Sequence, residues 1–162
     1  MRNSSSENKI TILGIGNSIF SDEGVGVHIL PLLEELYKDD QSIEIIEGST
    51  DGMKLLGPVE DTDYLLVIDA INAGKSGGEI IVLKGEEIPA YFGIKMSIHQ
   101  LGFQEVLFAA KLRERYPKNI TMVGMQPSCL DLGVQLSPVN QAKLTDLAKA
   151  VQHQIQVWRE AM

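Results

Sequence analysis

Five short apolar runs punctuate the chain: KITILGI from Lys9, SIEIIE from Ser42, YLLVIDA from Tyr64, EIIVLK from Glu79 and NITMVGM from Asn119. Each is rich in Ile, Val and Leu and bounded mostly by glycine or polar residues, which predicts strands. Most are continuous rather than alternating, the pattern of strands covered on both faces. Between them the period changes to that of a helix. Residues 23 to 37 put Val25, Ile29, Leu32, Leu33 and Leu36 on one face. Residues 100 to 115 do the same with Phe103, Leu107 and Ala110, before Pro117 stops the run. A last amphipathic stretch begins at Pro138 and carries Leu144, Leu147, Val151, Ile155 and Trp158. The alternation predicts an α/β three-layer sandwich: a twisted, mainly parallel five-stranded sheet with helices on both faces. No repeat, low-complexity tract or linker interrupts it, so residues 1–162 are read as a single domain, with 1–8 flexible.

Composition narrows the functional classes. A length of 162 residues can bury one sizeable core. The formal charge of −8 argues against nucleic acid and anionic lipid as partners, which demand a cationic surface. One cysteine, Cys129, excludes an internal disulfide. The polar start MRNSSSENK is unlike a secretion signal, and no apolar run approaches the ~20 residues of a membrane span. The expectation is a cytoplasmic protein. Its acidic helical surface gives no sign of a permanent partner, so a monomer is expected.

The stretch LGIGNSIFSDEGVGV, residues 13–27, has the layout of a phosphate loop yet carries Asp22 and Glu23 where an anion would sit. In a G-x-G-x-x-G reading, Gly14 and Gly16 are followed by Ile19 where the third glycine belongs. A P-loop fails for want of any lysine between 11 and 37. Glu47, ending the second run, is the one residue placed like a ribose-binding acid, and it keeps a nucleotide- or nucleoside-binding enzyme as the alternative. The plainer account of Asp22 and Glu23 is a first helical turn complementing the macrodipole, with Ser21 as N-cap.

Two other residues bear on that account. Asp69 ends YLLVIDA and is delivered to the carboxyl edge of the sheet, where α/β domains bind ligands; a turn aspartate is the competing explanation. His99 follows the fourth strand, in a segment leading into a helix, and on that ground is expected at the same edge. His28 and His153 read as surface or packing residues. Were Glu23, Asp69 and His99 to converge, two carboxylates and an imidazole would suit a divalent transition metal such as nickel, zinc or iron. The glycines would turn the backbone sharply and leave room above it.

The stretches GNSIFSDEGVG, EGSTDGMKLL, VIDA, SIHQLGFQEVL and VGMQPSCLDLGVQLSP together resemble the nickel–iron hydrogenase maturation endopeptidases, over about Lys9 to Pro138. The HQLG form is similar to members that process uptake-type hydrogenases. The resemblance implies a cytoplasmic endopeptidase that removes the C-terminal extension of the hydrogenase large-subunit precursor once nickel has been inserted. It implies Glu23, Asp69 and His99 as the residues that engage the metal and carry the reaction. Nickel would arrive with the substrate, and zinc or cadmium are expected as substitutes at the site. Glu47 stands where the family usually has aspartate, and Ser49 where a glycine is common. The usual protease sets are not in evidence: Cys129 has no neighbouring histidine, and neither G-x-S-x-G nor H-E-x-x-H occurs. Asp22 is the candidate base. A noncatalytic nickel-checking chaperone of the same precursor is a further alternative.

Overall fold

The computed structural model describes residues 8–48, 52–94 and 98–162, with backbone alone at 52, 92–94 and 98–101. All five apolar runs form strands: β1 Ile10–Gly14, β2 Ile43–Glu47, β3 Tyr64–Ala70, β4 Ile80–Lys84 and β5 Asn119–Met125. They build one sheet in the order β2-β1-β3-β5-β4. The first four in that order run parallel, and β4 pairs antiparallel with β5, Ile80 opposite Met125 and Lys84 opposite Thr121. The central strands β1 and β3 are buried along their whole length, as their unbroken apolar runs require.

Alternate side chains of β3 feed two cores. Tyr64, Leu66, Ile68 and Ala70 enter one, with α1 (Val25–His28), α2 (Leu30–Leu36) and the long C-terminal helix. Leu65 and Val67 enter the other, with α3 (Leu56–Glu60), α4 (Glu87–Ile94) and α5 (Ile98–Leu112). The C-terminal pattern resolves into a short α6 (Pro138–Ala142) and α7 (Leu144–Ala161), whose Leu147, Val151, Ile155 and Trp158 are buried. Ser137 caps α6 through its hydroxyl, which accepts the Asn140 N–H at 3.4 Å. Trp158 closes the base of its core against Tyr64, ring centroids 5.3 Å apart.

The helix expected over 23–37 is three pieces: a 3₁₀ turn at Ser21–Gly24, then α1 and α2. Pro31 has no N–H to give to the carbonyl four residues back, so the α-ladder is interrupted around Ile29. Val25, Ile29 and Leu33 are buried as the pattern demands, whereas Leu36 is exposed at the end of α2.

Strand order reverses between β1, whose crossover leads to β2 on one side, and β3 on the other. The carboxyl ends of β1 and β3 therefore flank the switch point where ligands bind in open α/β sheets. No helix of the described residues is long and apolar enough to cross a membrane. Of the flexible stretch expected at 1–8, all but the last residue lies outside the described residues, as does Ser49.

Candidate active site

The segment leaving β1 is folded tightly onto the carboxyl edge. The Ile15 N–H donates to the carbonyl of Ile68 in β3 at 2.9 Å, and the Asn17 N–H to that of Glu23 at 3.3 Å. Three glycines make this possible by close approach of backbone to backbone. A Cβ on Gly14 would sit 2.1 Å from the Gly26 carbonyl oxygen, and one on Gly26 2.2 Å from those of Ile15 and Ile68. The first turn of α1 thus rests directly on the strand ends. Gly14 and Gly26 make the close helix–strand contact that a dinucleotide fold assigns to a glycine at position 19. Ile19 is instead half-exposed.

Gly16 joins two of the expected site residues. Its φ of +151° disfavours any side chain, and a Cβ there would lie 2.3 Å from the Glu23 carbonyl oxygen and 3.5 Å from Asp69 Oδ1. Asp69 is fully buried at the end of β3, where its Oδ1 accepts the Ala70 N–H at 2.8 Å. Glu23 is half-buried in the 3₁₀ turn. Both carboxylate-bearing residues therefore flank one glycine at the switch point. The expectation that these glycines leave room for a bound group is corrected here: the chain's own atoms fill the space.

His99 has no described side chain, and only its backbone, in the first turn of α5, can be placed. The reason given for its position also needs correction. Because β4 is antiparallel, the chain leaves it at the amino edge, Lys84 lying beside Thr121 near the start of β5. α4 carries the chain back, and its Tyr91 hydroxyl accepts the N–H of Asn72, just beyond β3. α5 then descends about 22 Å toward the start of β5. The beginning of α5, rather than the end of β4, brings residue 99 to the carboxyl edge. Among the described residues no three His, Cys, Asp or Glu side chains are grouped to hold a metal, and His99 is not among the side chains described.

Asp22 is not a free first-turn carboxylate but is held by partners distant in the chain. Its carboxylate is fully buried. Oδ2 accepts the N–H groups of Ser128 and Cys129, both at 2.9 Å, and the Ser137 hydroxyl at 2.7 Å; Oδ1 accepts the Ser137 N–H at 2.8 Å. Four donors engage it, a carboxylate fully spent on pinning the 128–137 loop. Ser21 is not an N-cap. It lies at φ +50° and donates from Oγ to the Asp131 carbonyl at 2.7 Å and from its N–H to that of Gly133 at 2.8 Å. A left-handed serine costs of order 1–2 kcal/mol and persists because the loop over-determines it. None of these partners is within a hundred residues in sequence, so no local signal pointed to them.

Other sequence candidates fall away from the centre. Cys129 is half-buried, its backbone exchanging hydrogen bonds with Asp22 in both directions. His28 ends α1 with Nε2 packed near the Gly24 position, and His153 lies on the exposed side of α7. Glu47 is exposed at the end of β2, paired in register with Gly14. Surface recesses of about 520 and 590 Å³ open at the amino edge, by Tyr64 and Trp158 and by Tyr37 and Arg159; neither reaches Glu23 or Asp69.

This fold and edge have close counterparts. The structure of the hydrogenase maturating endopeptidase HybD from Escherichia coli superimposes with a TM-score of 0.84 at 35% identity, covering 91% of this chain and 92% of that one. The [NiFe] hydrogenase maturation protease HybD from Thermococcus kodakarensis gives 0.74 at 25% identity, over 90% of this chain and 98% of that one. In sequence the chain is 39% identical over 137 residues to the hydrogenase 2 maturation protease of Escherichia coli strain K12, 84% of each chain. A profile of the family described as hydrogenase maturation protease matches residues 27–154. The chain belongs to the hydrogenase maturation protease family and is an endopeptidase.

Proposed function

We propose that this endopeptidase removes the C-terminal extension of a hydrogenase large-subunit precursor that already carries nickel, with Glu23, Asp69 and His99 meeting that nickel. The observation that supports the reading is Gly16, whose missing Cβ leaves the Glu23 backbone carbonyl and the Asp69 carboxylate converging on one position at the switch point. An acidic pair there repels a bare peptide terminus and favours a cation-bearing one. The difference between the two is the selectivity, and a coupling of about 1–3 kcal/mol is typical of linked sites. Glu23, Asp69 and His99 would meet nickel carried by the substrate, which would supply Lewis acidity or serve only to recognise and position the precursor. The protein's own part is to hold the carboxylates still: Asp69 through burial and its bond to Ala70, Glu23 through the turn that Asp22 and Ser21 lock. We read the protein as a cytoplasmic monomer that meets its precursor transiently. The nucleotide alternative loses support, because the space at Gly14 is taken by α1 and that at Gly16 by the 3₁₀ turn.

Incubation with nickel-loaded and nickel-free precursor, followed by mass measurement of the product, tests the reading. Shortening of the loaded form alone is expected; efficient cutting of the empty form overturns nickel dependence. Asp69→Asn keeps the Oδ1 acceptor for Ala70 and nearly the same shape, so a folded but inactive variant is expected. Full activity in Asp69→Asn, Glu23→Gln or His99→Ala removes that residue from the site.

A further inference from the structure

Around the bridge between Phe20 and Gly133, four apolar side chains stand in solvent: Ile19 (49% exposed), Leu130 (48%), Leu132 (80%) and Val134 (69%). They are not on a loose loop. The Gly133 N–H donates to the Ile19 carbonyl at 2.9 Å, Ser21 holds the carbonyls of Asp131 and Gly133, and Asp22 clamps both ends of the loop at Ser128 and Ser137. The loop's backbone is held, so its share of the ordering cost is already met, as in a preorganised contact surface. The patch is continuous with the site: Ile19 and Phe20 lie in the same turn as Glu23, whose N–H donates to the Phe20 carbonyl at 3.1 Å. It is also almost uncharged. Residues 127–139 contain one ionisable carboxylate, Asp131, in a chain that is 22% charged overall. Depletion of charge with exposed aliphatic side chains is the composition of an interface core.

From this we propose that the strapped loop 128–137, with Ile19, is a docking surface for the protein substrate, seating an apolar, uncharged stretch of the precursor beside the bond to be cut. The inference rests on the processing activity proposed above and adds where the substrate is gripped. A second copy of this chain is a poorer occupant. Two molecules of net charge −8 repel, and four side chains fall well short of the roughly 20–30 residues a side of a stable interface. A small patch suits a partner released after one cut.

The experiment uses the full-length protein and the nickel-loaded precursor with its extension intact. Binding is followed by fluorescence anisotropy and cleavage by mass. Leu132→Asp/Val134→Asp changes two strongly exposed side chains and leaves the clamp untouched. Phe108→Asp/Leu112→Asp, on the outer face of α5 toward the amino edge, is the control, with exposures of 65% and 70%. Expected for the loop pair is a Kd and KM weakened about tenfold or more with kcat held within about twofold, the mark of lost uniform binding. The control pair is expected to bind and cut like the parent. Unchanged Kd in the loop pair overturns the proposal, as does an equal loss in the control pair. A parent dimer that the loop substitutions split without changing Kd for precursor also overturns it. A parent that binds but never cuts refutes the processing activity while the loop pair's Kd still decides the docking surface; one that neither binds nor cuts refutes both.

Discussion

Gly16 is where the backbone of Glu23 comes close to the Asp69 carboxylate. A methyl group there would need to displace the Glu23 carbonyl oxygen, 2.3 Å from the ideal Cβ, and would sit at a φ of +151° that side chains rarely adopt. The carbonyl is backbone and cannot rotate away alone, so the 3₁₀ turn must lift. Gly16→Ala is therefore expected to cost about 2 kcal/mol of stability and to displace Glu23 from Asp69. A loss of processing much larger than the shift in melting temperature is the expected signature, measured by paired activity and thermal scans. Near-parental cutting by the alanine variant would show that the Glu23–Asp69 arrangement is not needed. Asp69 itself was legible from sequence, because an apolar strand ending in an acid has one edge to deliver it to. Gly16 was legible as a turn residue, whereas its packing role was not, since that depends on where Glu23 returns later in the chain.

At the scale of elements, the clamp between the 21–23 turn and the 128–137 loop joins two segments more than a hundred residues apart. Asp22→Asn keeps the volume but replaces one acceptor oxygen by an NH₂ facing N–H donors. Hydrogen bonds to a charged group contribute about 1.5–3 kcal/mol each, and a buried unsatisfied donor costs ~1–3. A net loss of about 3 kcal/mol is expected, read as a lower denaturant midpoint at unchanged slope. Processing should fall at temperatures where the variant is still folded, because the turn carrying Glu23 is released. Restoration of neither midpoint nor activity by Asp22→Glu would be consistent with so close a fit; parental stability in Asp22→Asn would refute the clamp. The sequence pattern showed all five strands, because burial on both faces writes itself as unbroken apolar runs. Periodicity alone did not show the direction of β4, although the short connection from Ala70 to Ile80 is less than a parallel crossover needs. Nor did it show Asp22's role: an acid at a helix start has a local explanation, and the partners that override it are distant.

The whole molecule separates its duties by edge. The proposed site lies at the carboxyl ends of β1 and β3, while the amino edge is tied by ion pairs. Glu60, itself buried, takes the Arg113 guanidinium at 2.7 Å, joining α3 to the end of α5. Asp40, in the turn before β2, pairs with Arg159 at the end of α7. The Ser42 hydroxyl bonded to Asp40, aided by Arg159, holds its carboxyl below the ordinary range. A depressed carboxylate stabilises the fold above its unfolded pKa of about 3.9, and the contribution disappears as pH falls through the lower folded value. Both side chains are about a third exposed, so screening keeps the pair small, ~0.5–1 kcal/mol. Arg159→Ala is accordingly expected to lower stability by that amount at pH 7, with the difference shrinking in strongly acidic buffer below about pH 3.9. Precursor cleavage by the same variant at pH 7 should equal the parent's, because Arg159 closes the edge opposite Glu23 and Asp69. Chemical denaturation at the two pH values, with cleavage assayed in parallel, checks both halves; a variant that loses cleavage while keeping its stability would show that the two edges are coupled.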